Sequence, residues 1–410
     1  MSTSAVIAVE KPVPGAAREP GVPTVIWLLL AGNLVVRAAG FAYAFMAYHV
    51  AGRGYAAGAV GAVLAVYGIG WTVGQLATGW LVDRTGTRTT LLATMSVATA
   101  VLLLMAEARS LPMLLSGALV TGLVCDSPRP VLGAAITELV TDPRQRARLD
   151  GWRFGWALNI GAAIAGGIGG LLADWCGTPL LYRLNGVACA GFAVLAARCL
   201  PAGGSRPARQ VKVGYRQALC DPRLALLVGS SLATLTAMMG VFAAVPILMS
   251  DSGLGVGAYG LVQFVNALTV VALTPLLTPW LSARLASGPR LDIMAAAGAW
   301  LALCAGAQAL AHTTVFFTLA AAACSPAEIA WFVVAAGVVH RIAPAGNGGL
   351  YQGIWSMTAA AASVVAPVLL ACALPHGGRP VLALATVAVG LLGAACCSPL
   401  ARSVPGVNLP

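Results

Sequence analysis

The chain has 410 residues, 59% of them hydrophobic and 9% charged, and a formal net charge of +11. A soluble domain has about 25% charged residues, so this chain cannot cover a water-facing surface, and soluble-enzyme and nucleic-acid-binding classes are excluded. Its mean hydropathy of +0.87 belongs in a bilayer, where each span must satisfy its own backbone polar groups and helices are the expected solution.

Residues 1–22 are polar and proline-rich and read as a disordered tail. They do not read as a cleavable signal, because the apolar run that follows is too long for one. Twelve apolar runs then fill the chain, near 24–50, 56–82, 88–107, 112–140, 151–175, 180–200, 223–250, 257–282, 290–311, 313–339, 348–374 and 379–400. Each approaches or exceeds the roughly 20 residues that a helix needs to cross a hydrocarbon core. The first run carries Asn33 and Arg37 one turn apart, on one face. Between the second and third lies Gly79-Trp80-Leu81-Val82-Asp83-Arg84-Thr85-Gly86-Thr87-Arg88, which sets an acid, glycines and two arginines at a helix junction.

The fourth run holds Asp126 and Arg129, three apart and able to neutralise each other. The fifth holds Asn159, Gly161, Gly166, Gly169 and Gly170, small or polar residues whose spacing lets helix backbones approach closely. The tenth holds Glu328, with no charged partner within a turn. Charges at mid-bilayer cost roughly 2.5–3.5 kcal/mol each on insertion scales, and they mark polar cavities or partners. Arg37, Asp126, Arg129 and Glu328 are therefore the candidates for substrate binding or proton coupling, and the expectation is that they meet. His49, His312, His340 and His376 fall at span ends, so no buried histidine relay is expected. The ten cysteines show no metal-ligand spacing, and neither metal nor cofactor is expected. No phosphate-binding Gly-x-x-x-x-Gly-Lys-Ser/Thr and no nucleophile–base set occurs, so neither an enzyme nor an ATP-driven pump is expected.

The chain repeats itself at an offset near 200. Gly58-Ala59-Val60-Gly61 recurs as Gly257-Ala258-Tyr259-Gly260, and Trp80-Leu81-Val82-Asp83-Arg84 as Trp280-Leu281-Ser282-Ala283-Arg284. Cys125-Asp126-Ser127-Pro128 answers to Cys324-Ser325-Pro326. The reading is an all-α membrane protein of two pseudo-symmetric six-helix bundles, 23–200 and 223–402, joined by a basic cytoplasmic linker 201–222 and ending in a tail 403–410. Most of the 24 Lys and Arg, Arg153 included, fall on one side of the alternation, and Arg53, Arg109 and Arg379 on the other. The positive-inside rule then places both termini in the cytoplasm, and the cell membrane is the expected location. Parallel repeats of this kind are a transporter plan, with the substrate site between the halves.

The segment 79–91 resembles the signature of the major facilitator superfamily. Gly79, Leu81, Asp83, Arg84, Gly86, Arg88 and Leu91 match, and Thr87 stands where a basic residue is usual. The resemblance implies that this cluster locks the halves together on the cytoplasmic side, and that spans one, four, seven and ten line a central cavity. Span five is similar to the glycine-rich motif of the family's drug–proton antiporters, except that Ala165-Gly166 replaces Gly-Pro. The leading expectation is a monomeric secondary transporter that exports a small drug-like or secondary-metabolite molecule in exchange for protons. Proton-coupled uptake of a sugar, organic acid or peptide is the alternative, since Arg37 with Asn33 suits an anionic solute. A membrane sensor or scaffold that has lost transport is the alternative of another class. The partners expected are the small-molecule substrate, protons and the lipid bilayer, and no nucleic acid.

Overall fold

The protein is described by a computed structural model over residues 22–200, 213–254, 256–288 and 290–403. Most of the expected tail 1–22, of the linker 201–222 and of the tail 403–410 lies outside the described residues. Helices are the only regular elements among those described. The first run is broken into α1 (Thr24–Ala38), α2 (Phe41–Ala44) and α3 (Met46–Ala51). α4 (Ala57–Glu107) takes in the second and third runs together. At about 1.5 Å per residue a straight helix of that length would far exceed a bilayer core of about 30 Å. Gly86, at φ 82° and ψ 166°, breaks it into two rods, in a conformation that a side chain would strain.

The fourth run is α5 (Leu111–Cys125) and α6 (Pro128–Leu139), interrupted at Asp126 and Ser127. Pro128 and Pro130 lack the N–H groups that would continue the ladder. α7 (Pro143–Gly151) opens on Asp142, whose carboxylate accepts from the Arg144 and Gln145 N–H groups, a side-chain cap ahead of a first-turn proline. Residues Trp152–Ala157 form a π-helical turn that leads into α8 (Leu158–Cys176), and α9 (Thr178–Cys199) follows. The end of the expected linker is a short helix, α10 (Tyr215–Leu219). The second half consists of α11 (Pro222–Asp251), α12 (Val256–Arg284), α13 (Leu291–Ala309), α14 (Thr314–Ile342), α15 (Gly348–Ala395) and α16 (Cys397–Ser403). α15 repeats the plan of α4, and is broken at Gly377 and Gly378.

Ten helices among the described residues are long and apolar enough to cross a membrane; one of them is the broken rod Ala59–Glu107. The core divides with the sequence. One cluster is built from residues between Ile26 and Leu200, and two others almost wholly from residues between Ala218 and Ala401. Ala147 and Phe154, from α7 and the π turn, cross over and join the second-half core. The halves meet where α4, α6, α7 and the π turn face α12, α14 and α15. Small residues make that approach possible: a methyl built on Gly155 would stand 2.1 Å from the Thr274 hydroxyl oxygen, and one on Gly151 2.6 Å from that of Thr278.

Candidate functional site

Asp126 sits at the α5–α6 interruption and gathers the polar groups of the first half. Arg37 of α1 forms an ion pair with Oδ1, and Arg129 Nε lies 3.1 Å from Oδ2. Trp71 Nε1 donates to Oδ2 at 2.8 Å, and Gln75 Nε2 donates to the Asp126 carbonyl at 3.3 Å. Charge-assisted bonds of this kind are the strong ones. The sequence pairs Asp126 with Arg129 and Arg37 and offers Trp71 only as a cavity-lining aromatic; Trp71 and Gln75, two and one turns before the Gly79 motif, join Asp126 only in the structure.

A second buried network lies between the halves. Asp150 and Arg153 are essentially inaccessible, with Nη1 of Arg153 3.5 Å from Asp150 Oδ1. The other Asp150 oxygen lies 2.8 Å from His340 Nε2 of α14. The Thr137 hydroxyl donates to the Gly133 carbonyl at 2.8 Å and lies 2.6 Å from His340 Nδ1. Arg153 also donates to the Arg129 carbonyl, which ties this network to the first.

Arg153 lies in the π turn. A π turn frees carbonyls from the helical ladder, and Asn159 Nδ2 donates to two of them, those of Phe154 and Gly155, each at 3.1 Å. Arg153 was counted by its sequence position as a cytoplasmic topology charge; the structure buries it. His340 and His49 are buried as well, against the expectation for span-end histidines. His49 is held by Thr178 and the Met105 carbonyl. Apolar periodicity locates span ends but not what another helix brings over them.

Asp83 accepts from the backbone N–H groups of Gly349 and Leu350, at 2.7 and 2.6 Å. A first-half carboxylate therefore caps the N-terminus of α15, where a helix favours negative charge. Beneath it the backbones touch. A methyl on Gly79 would stand 2.3 Å from the Gly349 carbonyl oxygen, and one on Gly353 2.6 Å from that of Gln75. Arg84 lies over the Trp80 ring at 4.1 Å. Arg88 donates to the Ala197 carbonyl in the last turn of α9. Leu81 and Gly86 complete the motif on α4. The Tyr215 hydroxyl donates to the Leu76 carbonyl. Burial, with Asp83 nearby, pushes its phenol up to about 12, so it remains a donor.

Glu328 does not join the other three candidates. It is 8% exposed and lines a cavity within the second half, with Gln263, Asn266, Gln308, Cys324 and Met238. It makes no hydrogen bond or ion pair among the described residues. Its position on α14 turns it toward α12 and α13, and Asp126 is not among the residues lining its cavity. A separate cavity in the first half is lined by Asn33, Arg37, Arg129, Arg153, Phe154 and Leu158. Of the packing residues of span five, Gly161 meets Arg37 of α1 and Gly169 meets Phe41 and Phe45. Gly166 and Gly170 lie on the same helix, α8.

Two helical halves that close on each other around buried charge define a membrane transporter. The model of the Major Facilitator Superfamily matches residues 28–291, and the chain belongs to that family. No curated protein matches it by sequence. Among solved structures it is similar to the human organic anion transporter TETRAN, with 15% identity and a TM-score of 0.75 over 92% of this chain and 100% of that one. A bacterial homologue of the iron transporter ferroportin, outward-facing, aligns with 16% identity and a TM-score of 0.72 over 92% and 99%. The E. coli fucose:proton symporter aligns with 14% identity and a TM-score of 0.70 over 92% and 98%. At these identities the likeness is one of fold.

Proposed function

We propose that this transporter crosses the membrane twelve times, with both termini in the cytoplasm. In this reading it works as a monomer by alternating access and couples proton entry to export of a small organic molecule. The observation that carries the reading is the Asp83 cap on α15. It joins two halves whose cores are separate except at Ala147 and Phe154, and it includes two charge-assisted hydrogen bonds and a backbone contact that must break for that end to open. Glu328 is the proposed proton carrier, because it is a buried carboxylate without an ionic partner among the described residues. Asp126, engaged by two arginines, is the group that reports which state the first half is in. Uptake of an organic acid is the second reading, and the arginines around the first-half cavity favour it. Proteoliposomes with an imposed pH gradient, offered cationic, neutral and anionic solutes, test both readings. Solute flux against the proton flux supports export; flux only in the direction of the protons overturns it.

A further inference from the structure

The cavity beside Glu328 is lined only by residues of α11 to α14, so it lies inside the second half. Three amide side chains share its wall with the carboxylate. Gln263 and Asn266 are three residues apart on one face of α12, and Gln308 comes from α13. No lysine, arginine or histidine is among the lining residues. Asn266 Oδ1 accepts from the Ser325 hydroxyl at 3.3 Å, which fixes that amide's oxygen. Gln308 turns its Nε2 toward Cys324 Sγ at 3.7 Å, and its Oε1 has no partner among the described residues. A buried carboxylate without a counter-charge is costly. A proton neutralises it, but a proton needs neither the space between these side chains nor three amides about it.

We infer that this cavity binds a monovalent metal cation, Na+, held by the Glu328 carboxylate and the amide oxygens of Gln263, Asn266 and Gln308, in competition with the proton. Carboxylate and amide oxygens are the ligands that hard cations take. One carboxylate balances one positive charge, whereas a divalent ion would leave a net positive charge buried. The space left is about that of one or two waters, too little for an organic cation. The inference rests on the reading of Glu328 as the proton site for its place in coupling, though not for the binding it requires.

The test is equilibrium binding of radioactive sodium to the full chain purified in detergent, in choline chloride, at a series of pH values. Saturable binding is expected, displaced by unlabelled NaCl and not by equal KCl or CaCl2. It should weaken by up to about tenfold per pH unit as the pH falls, because the ion needs the carboxylate deprotonated. Glu328→Gln should abolish binding and its pH dependence together. Gln308→Met is the second variant, which keeps the charge and the side-chain length and removes one amide oxygen. It should weaken binding about tenfold while the pH dependence persists. The inference is overturned if sodium does not bind, if K+ or Ca2+ displaces it equally well, if binding is indifferent to pH, or if either substitution leaves it unchanged. Sodium binding without proton-coupled flux in proteoliposomes would keep this inference and sink the proton reading. Flux driven by a pH gradient in sodium-free medium, with no sodium binding, would do the reverse.

Discussion

Asp83 and Glu328 are both carboxylates on membrane helices, and they sit in opposite surroundings. Asp83 is held by two backbone N–H groups of α15, and each hydrogen bond to a charged group is worth about 1.5–3 kcal/mol. Asp83→Asn keeps the shape and removes the charge. The protein should fold and insert normally, yet lose most of its transport, because a contact made in one state alone sets the balance of states. Spin-label distances between the α4 and α15 ends should lengthen without ligand; normal transport would remove Asp83 from the mechanism. Glu328→Gln should abolish transport driven by a pH gradient while substrate exchange continues, as measured by counterflow. If gradient-driven transport persists, proton coupling passes to Asp126.

At the scale of elements, the contact between α4 and α15 depends on Gly79, Gly349 and Gly353. Gly79→Ala places a methyl 2.3 Å from a backbone oxygen that has no rotamer to move away. The two rods must separate, so the variant should be folded but unable to close at that end. Cysteine cross-links across the closed end should then fail to form. The π turn gives a second case. Asn159→Ala removes two side-chain hydrogen bonds to the freed carbonyls of Phe154 and Gly155, a loss of about 1–3 kcal/mol. Thermal unfolding should show it as a lower midpoint, and an unchanged midpoint would mean that the turn holds itself. The glycines of span five were legible in the sequence as packing residues, whereas Gly79 was legible only as part of the motif at the helix junction. The π turn was not, because no periodicity marks a single extra residue in a ladder.

For the whole molecule, the distribution of basic residues predicts an orientation, and labelling tests it. In a background without the native cysteines, single cysteines at positions 205 and 287 should be shielded from impermeant reagents in intact cells. Those at 252 and 377 should react. Labelling of position 205 from outside would invert the topology. The helical class and the division into halves could be read from hydropathy and the repeat, since both are properties of the chain taken linearly. The meeting of Asp150, Arg153 and His340 could not. Asp150 and Arg153 are separated from His340 by nearly half the chain, and their sequence positions alone resemble a loop anchor and a span end. Glu328 was found as a solitary acid, but its separation from Asp126 depends on which face of α14 turns inward. A glycine-on-glycine contact also has a consequence for the rate of the cycle. Where Gly79 meets Gly349 and Gly353, backbone meets backbone. Re-closure there orders few side chains, chiefly those of Val82 and Asp83 beside Gly349, and gives up little side-chain entropy. Little side-chain search is needed beyond the seating of Asp83 on its two N–H groups, so the two surfaces can part and meet again nearly as rigid bodies.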